Sequence, residues 1–508
     1  MKKLVFLVGI TLILLARILL ININSAEWGD SYRILRASNF VQQFSYPGDE
    51  KRPPLFSILL AVRPSSIDAI LWGRLVMLGI SFLALFVFYK LTQKLLATRS
   101  QRFLAVALLA LNPVYLYWSL RIYADIPFSL LVLVCFYFFE VWREKLVDEG
   151  KASMLYPALM GLICGLGILT RFEGYLLTLA TLVGIAVIGR DRGRSDRSNP
   201  VRTVLPFITT ISIIAIPWLL YRNPLTSSYF EESAGRKYNL EMFLTYLISY
   251  IFVLGIIPAG AFMSIRLPSV FKKYPHIVAF VLLESLLILA WPAAVPRLFV
   301  PIIPFLILAL VSSWHNSREN STATIQEVGI ASIILSVVYI ITQNHLRLQF
   351  LGSHTLVFIF VSTISVVGVV AIFLNQRKLF IVTAILSMLA LSASTIYLHK
   401  NIYRSIKEIS VFSLREVAGN GEKIIHNDTA SIVNWYLPQS TYKNLDNKKY
   451  LTQAYLQENN IEYIILTNEF NPNLEIDLKK RPYLTLIKEA KHTLGGKMFF
   501  TWLLKVQQ

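Results

Sequence analysis

The sequence predicts an all-α polytopic membrane protein that ends in a small α/β domain. Of its 508 residues, 55% are hydrophobic and only 16% are charged, and the mean hydropathy is +0.56. A soluble domain has about a quarter charged residues, so this chain has too few to cover a water-facing surface. The apolar residues form blocks of roughly 17–22, long enough to cross a hydrocarbon core as helices. After His399 the composition shifts towards Asn, Lys, Glu and Tyr, which indicates a separate domain.

The apolar blocks predict the membrane spans one by one. Helices are the expected form, because lipid offers no hydrogen-bond partner to an open backbone. Counting the blocks gives about 13 spans. They lie near residues 3–21, 70–89, 103–118, 125–142, 155–170, 173–189, 203–221, 243–264, 277–292, 297–314, 328–343, 354–374 and 379–398.

The basic residues predict the orientation of these spans. The formal net charge is +19, and the Lys and Arg residues concentrate in alternate short loops, for example at Arg190, Arg192 and Arg194. Such loops remain in the cytoplasm, which predicts a cytoplasmic N-terminus and an extracytoplasmic C-terminus in the inner or plasma membrane. A basic face with interleaved aromatic residues is absent from the sequence, so we expect no nucleic-acid partner.

Two regions are larger than connectors, namely the first outer loop at residues 22–69 and the tail. We expect a transmembrane domain over 1–398 and an extracytoplasmic α/β domain over 399–508. The tail has β-type runs at Tyr463–Thr467 and Met498–Val506, with Gly495-Gly496 placed to form a hairpin turn. It has no dense acidic or histidine cluster, so we expect it to support the structure or dock an acceptor.

The first outer loop contains two candidate site residues, Asp30 and Arg33. Asp30 lies just after the first span, where a carboxylate can deprotonate an acceptor hydroxyl or hold a divalent metal ion. Arg33 lies one turn later on the same side if residues 29–42 form a helix at the membrane interface. An exposed carboxylate with a nearby counter-ion is the alternative.

Arg52 and Asp125 are the next candidates. Pro53 and Pro54 fix an extended backbone after Arg52, and an Arg on such a rigid element suits a phosphate group. An Arg that contacts lipid headgroups is the alternative. Asp125 begins an apolar helix at the same side of the membrane and is a candidate second acid. An N-cap role would explain Asp125 without any function.

Arg171, Glu173 and Arg297 complete the set. Arg171 and Glu173 lie between two predicted spans, and Arg297 lies at the start of a later one. Interfacial anchoring is the alternative for each. All the candidates nevertheless fall on the outer side of one predicted topology. Two acids and several cations suit a reaction in which a carboxylate activates a nucleophile and cations stabilise a departing phosphate.

The order of these motifs resembles the GT-C superfamily of glycosyltransferases. An acid follows the first helix, then Pro53-Pro54-Leu55, an acid at the head of the fourth helix, the junction Leu169–Gly174, and Arg297-Leu298 followed by Pro301 and Pro304. The sequence is most similar to the protein O-mannosyltransferases and to the aminoarabinose transferases that modify lipid A. The resemblance covers roughly residues 1–315, and the thirteen-helix plan with an outer C-terminal domain agrees with the whole chain.

The resemblance implies roles for individual residues. Asp30 matches the catalytic acid of the first loop, and Arg33 follows it in the same spacing. Asp125 matches a second acid that shares a metal ion with the first loop in the aminoarabinose branch. Arg52 matches the basic residue before the Pro-Pro pair, and Arg297 matches a late-helix Arg that faces the lipid phosphate. Ser31 and Lys51 stand where the family usually has acidic residues, which leaves the sugar and the acceptor open.

These features predict transfer of a sugar from a polyprenyl-phosphate donor to an acceptor lipid, glycan or protein. A flippase or transporter of lipid-linked sugars is the main alternative. Transporters tend to have repeated halves and ionisable residues near the bilayer midplane. This chain has its candidate acids at one interface, which favours the enzyme. A polysaccharide polymerase or ligase would use a similar donor, but the sequence has no large late outer loop.

Overall fold

The described residues form two compact units in this computed structural model. Unit 1 comprises Met1–Leu19 and Gly48–Thr395, and unit 2 comprises Leu20–Pro47 and Ile396–Gln508. Each unit is considered by itself below. Within them, the structure describes residues 11, 13–148, 154–192, 200–222, 240, 274–291, 296–316, a few residues between 360 and 371, 376–418, 421–471, 474, 477–494 and 497–507.

Apolar helices make up unit 1. Several are where the sequence predicted spans, although the predicted spans at 243–264, 328–343 and 354–374 lie wholly or mostly outside the described residues, as does the start of the span at 3–21. The helices are α2 (Leu55–Ala61), α3 (Ala69–Leu95), α4 (Arg99–Leu111), α5 (Pro113–Ser119), α6 (Asp125–Asp148), α7 (Leu155–Ile168), α8 (Gly174–Arg192), α9 (Pro200–Tyr221), α10 (Pro275–Ala290), α11 (Ile303–Asn316) and α12 (Arg377–His399), whose last turn enters unit 2.

The lengths of these helices agree with a multi-pass membrane protein. Within the described part of the chain, four helical segments are long and apolar enough to cross a membrane, and α4 with α5 would make a fifth. Helix α6 has 24 residues, which corresponds to about 36 Å of rise. Several further apolar helices of 10–17 residues include α7, α10 and part of α11.

The predicted span at 103–118 is broken at Asn112-Pro113, where α4 and α5 meet at 59°. Pro113 has no N–H to continue the helix. Asn112 Oδ1 instead accepts hydrogen bonds from the N–H groups of Val114 and Tyr115, at 3.1 and 3.0 Å. The break leaves the carbonyl groups of Ala110 and Leu111 without their usual intrahelical donors.

Buried side chains of other helices bind these two carbonyl groups. Arg17 Nη2 donates to Ala110 O at 3.0 Å, and Ser392 Oγ of α12 donates to Leu111 O at 2.6 Å. Arg17 is only 1% exposed, and its Nη1 also contacts the hydroxyl groups of Ser119 and Ser81. Arg17 lies inside a predicted span because it supplies a hydrogen-bond donor to the broken helix.

Arg297 does not begin a helical span as the sequence predicted. It lies on a 3₁₀ turn at Pro296–Phe299, and helix α11 begins only at Ile303. Pro301 has no N–H to donate to the carbonyl of Arg297, and its ring crowds that carbonyl, so an α-helix through this position is disfavoured. Val300 N donates to Arg297 O at 3.0 Å instead, which closes the tighter turn.

Unit 2 combines the first-loop helix with the tail of the chain. Its helices are α1 (Gly29–Val41), α13 (Arg404–Glu416), α14 (Ile432–Tyr436) and α15 (Gln453–Glu458). Its strands are β1 (Ile424–His426), β2 (Thr441–Tyr442), β3 (Tyr463–Thr467), β4 (Leu484–Leu494) and β5 (Lys497–Val506).

The five strands form one mixed sheet in the order β2-β1-β3-β5-β4. Strand β1 pairs in parallel with β2 and β3, whereas β5 is antiparallel to β3 and β4. The predicted strand at Tyr463–Thr467 is β3, and its Ile464, Ile465 and Leu466 are fully buried. The predicted turn residues Gly495 and Gly496 lie outside the described residues.

Candidate functional site

A buried ion cluster in unit 1 brings together three of the candidate residues. Arg171 Nη1 donates to Asp125 Oδ1 at 2.5 Å, and Arg171 Nε donates to Glu173 Oε1 at 3.0 Å. Arg171 Nη2 also donates to Glu173 Oε1. The Asp125 side chain is fully buried, and the Arg171 side chain is 15% exposed. Two carboxylates therefore fix the plane of one guanidinium, which has five N–H donors in a rigid fork.

Local backbone geometry places these side chains. The carbonyl of Ala124 accepts from Phe128 N at 2.9 Å, so Asp125 is the first helical residue of α6 and the N-cap alternative is wrong. Arg171 and Glu173 lie on the short connection between α7 and α8. A Cβ at Gly174 would lie 2.3 Å from Ile168 N, which explains why glycine closes this connection.

The Pro53-Pro54 segment is hydrogen-bonded to the connection between α7 and α8. The N–H of Leu55, the first residue of α2, donates to Leu169 O at 2.8 Å. Arg52 precedes this segment, and Glu50 Oε1 accepts hydrogen bonds from Arg52 Nη1 at 2.8 Å and from Arg52 N at 3.0 Å. Glu50 is 5% exposed, so Arg52 is bound to a buried acid two residues before it. The sequence reasoning missed Glu50.

Arg297 lies against aromatic rings and within electrostatic range of the cluster. Its guanidinium lies 4.8 Å from the ring centroid of Tyr123 and 6.0 Å from that of Trp118, where cation–π attraction operates. Its charge also acts on Asp125 and Glu173. Asp125, Glu173, Arg171 and Arg297 thus bring two acidic and two basic side chains into one cluster.

Two further buried charged residues were missed. Arg121 is fully buried in the connection before α6, with its guanidinium 5.1 Å from the Tyr117 ring centroid. Glu284 is 1% exposed in the middle of α10 and interacts electrostatically with Glu173, Arg171 and Asp125. A single acid inside a 16-residue apolar helix is itself a signal of function, and it was visible in the sequence.

The described residues do not make up a metal site around Asp125. One carboxylate oxygen of Asp125 accepts from Arg171, and a guanidinium at this distance competes electrostatically with a cation. Among the described residues, no three His, Cys, Asp or Glu side chains are grouped so that they could hold a metal ion. We therefore assign no reaction step to a metal, and the proposed pair of Asp30 and Asp125 as metal ligands stays a prediction.

Asp30 and Arg33 lie on α1 in unit 2. The helix predicted over residues 29–42 is present as Gly29–Val41, and Asp30 is in its first turn, where the helix dipole favours a negative charge. Arg33 Nε donates to Ser431 Oγ of the tail at 3.1 Å. Asp30 and Asp125 belong to different units, so their cooperation stays a prediction.

Comparison with known proteins agrees with the predicted family. Residues 52–221 match the model of the dolichyl-phosphate-mannose-protein mannosyltransferase family. No curated protein sequence matches the chain. The fold is similar to that of ArnT from Cupriavidus metallidurans bound to undecaprenyl phosphate, with a TM-score of 0.63 and 13% identity, covering 98% of this chain and 97% of that one.

Two other solved structures share the fold. The archaeal oligosaccharyltransferase AglB from Archaeoglobus fulgidus, in complex with an inhibitory peptide and a dolichol-phosphate, has a TM-score of 0.51 and 12% identity, covering 92% of this chain and 70% of that one. The arabinofuranosyltransferase AftD from Mycobacteria has a TM-score of 0.52 and 13% identity, covering 100% of this chain but 40% of that one. The resemblance to the GT-C superfamily of membrane glycosyltransferases is therefore confirmed, and the chain has their fold.

Proposed function

We propose that this protein transfers a sugar from a polyprenyl-phosphate donor to an acceptor hydroxyl on the outer face of the membrane, with inversion at the anomeric carbon. The observation that carries the proposal is the buried Asp125–Arg171–Glu173 cluster with Arg297 nearby. It occurs on a fold shared with an undecaprenyl-phosphate-bound protein. The sugar is a hexose or a pentose, and the acceptor is a lipid, a glycan or a protein.

The proposed reaction is a single displacement. Asp30 takes the proton of the acceptor hydroxyl as its oxygen attacks the anomeric carbon. The bond between this carbon and the phosphate oxygen breaks, and its electrons leave with the polyprenyl phosphate. The new glycosidic bond forms on the opposite face of the sugar, which inverts the configuration.

Cations stabilise the leaving phosphate in this proposal. Arg171 uses three of its five N–H donors in the described contacts with Asp125 and Glu173, which hold the fork in one orientation. A guanidinium fixed in advance needs no reorganisation when charge develops on the phosphate. Arg297, Arg52 and Arg33 are proposed as further donor-binding residues, and Asp125 assists by orienting Arg171.

The role of a divalent metal ion is open to direct test. Transfer that is lost on chelation and restored by added Mn²⁺ or Mg²⁺ would support metal binding by Asp30 and Asp125. Transfer that continues after chelation would leave Asp30 as a general base alone.

Transfer by the purified full chain in lipid tests the proposed function. Radiolabelled polyprenyl-phosphate sugars are supplied, and label in the acceptor and free polyprenyl phosphate are measured. We expect equal amounts of both products and a product of opposite anomeric configuration by NMR. Movement of intact donor between leaflets without any turnover would contradict the proposal and favour a flippase.

A further inference from the structure

Helix α1, which carries Asp30, packs against residues 427–436 of the tail, which comprise the loop at 427–433 and the rest of α14. A Cβ built on Gly29 would lie 2.6 Å from the backbone Cα and O atoms of Ala430. The Tyr32 side chain is 1% exposed, and its ring centroid lies 6.1 Å from Trp435 and 6.4 Å from Tyr436. With the Arg33–Ser431 bond, three neighbouring positions of α1 contact the same part of the tail.

The loop is itself rigidly built by Asp428. Asp428 Oδ1 accepts from Ala430 N at 2.7 Å, and Oδ2 accepts from Val433 N at 2.8 Å. Ser431 lies between the two bonded residues, and its φ of 62° is a left-handed backbone conformation that residues other than glycine rarely adopt. The carboxylate therefore holds Ser431 in the strained geometry that directs its hydroxyl group to Arg33.

The loop is in turn fixed to the sheet. Asn427 Nδ2 donates to Thr467 O at 2.8 Å, and Thr467 N donates to Asn427 Oδ1 at 2.8 Å. Thr467 is the last residue of β3, so this reciprocal pair joins the loop to the central strand. Hydrogen bonds of Asn427 thus attach the loop to the sheet, those of Asp428 hold the loop together, and the bond of Ser431 attaches the loop to Arg33.

The electrostatics of Asp428 agree with this arrangement. Burial raises the pKa of Asp428, and its bonds to the backbone N–H groups and the positive charge of Arg33 oppose the increase. Asp428 is 2% exposed, so water screens its attraction to Arg33 less than it would at an exposed site.

We propose that the loop at 427–433 positions α1, and that Asp428 and Ser431 are positioning residues for the carboxylate of Asp30. The catalytic part of this inference rests on the proposed function, whereas the structural part does not. The tail then contributes to the reaction by fixing the orientation of the base. A misplacement of about 1 Å can lower a rate by about a hundredfold.

Two substitutions at Ser431 distinguish the contribution of its hydroxyl group from that of its backbone strain. Ser431→Gly relieves the strain but removes the partner of Arg33, whereas Ser431→Asn tolerates the left-handed conformation and supplies an acceptor oxygen. We expect Ser431→Gly and Asp428→Asn to lower kcat about tenfold to a hundredfold with the donor KM within about twofold. We expect Ser431→Asn to retain most of the activity. Asp477→Asn, at an exposed turn of the same domain, is the matched control.

Hydrogen exchange of the full chain tests positioning without any need for activity. We expect Asp428→Asn and Ser431→Gly to speed exchange across residues 29–41 at least tenfold, while the β4–β5 pair exchanges as in the wild type. Unchanged exchange in α1 would overturn the inference, whichever donor the protein uses. A kcat that falls equally in Ser431→Gly and Ser431→Asn, or a general loss of protection, would also overturn it. If α1 responds as expected and no donor turns over, the proposed function fails but the positioning role stands.

Discussion

The two regions that hold the candidate acids stabilise their buried charges in different ways. In unit 1, Asp125 is bound by another charge, the guanidinium of Arg171, at 2.5 Å. In unit 2, Asp428 is bound by backbone N–H groups of its own loop at 2.7 and 2.8 Å. Removing one member of the ion cluster leaves an opposite charge buried, whereas backbone donors can find water when the loop opens. The ion cluster should therefore be the more sensitive to substitution.

The largest effect on stability is expected for Arg171→Gln. The substitution leaves Asp125 and Glu173 as uncompensated buried carboxylates, which should lower the free energy of unfolding by about 3–5 kcal/mol. Denaturation of the full chain in detergent measures this change. Arg171→Lys keeps the positive charge but not the planar guanidinium, so it should lower the free energy of unfolding by less than Arg171→Gln does. Equal stability of wild type and Arg171→Gln would show that the cluster is not held by its charges.

The tail should respond to pH through Glu469, His492 and His426. Burial raises the pKa of Glu469 to about 8, although the hydroxyl of Ser405 donates to it, and burial lowers the pKa of His492 and of His426 to about 4. Glu469 Oε1 and His492 Nε2 are 3.2 Å apart, and both shifts favour neutral forms of this pair.

The sign of each shift gives the pH window. Glu469 contributes stability below its ordinary pKa, and this contribution is lost as the pH rises through about 8. The histidines contribute stability above their ordinary pKa of about 6.5, and it is lost as the pH falls towards 4. We expect the melting temperature of the tail to be highest near pH 6.5 and to fall by several degrees at pH 8.5. The decrease in melting temperature above pH 6.5 should disappear in Glu469→Gln. If the decrease persists in this variant, another titratable group causes it.

The smallest effect is expected for the exposed pair of Arg404 and Glu408 on α13. Arg404 Nε lies 2.6 Å from Glu408 Oε1, but both side chains are nearly half exposed. Because water screens such a pair, Arg404→Gln should change the free energy of unfolding by about 0.2–1 kcal/mol. A loss as large as that of Arg171→Gln, measured by the same denaturation, would contradict the comparison between buried and exposed charges.

The sequence predicted those parts of the site whose signals lie close together along the chain. Arg171 and Glu173 lie in one short junction, and Asp125 begins a helix that is recognisable from its run of apolar residues. Their contact spans 46 residues, and it was expected only from the shared side of the predicted topology. The break at Asn112-Pro113 was missed because the apolar run continues through it. The Arg33–Ser431 bond joins residues 398 apart, and neither side chain carries a pattern that reveals its partner.

The rate of sugar transfer by Asp30→Asn tests the central claim most directly. Asp49→Asn is the matched control, because Asp49 is an exposed acid of the same loop outside the proposed machinery. With donor and acceptor saturating and both variants folded, we expect Asp30→Asn to lower kcat at least a hundredfold, in line with the loss of a general base. Asp49→Asn should stay within twofold of the wild type. Equal rates for Asp30→Asn and the wild type would remove Asp30 from the reaction and contradict the account.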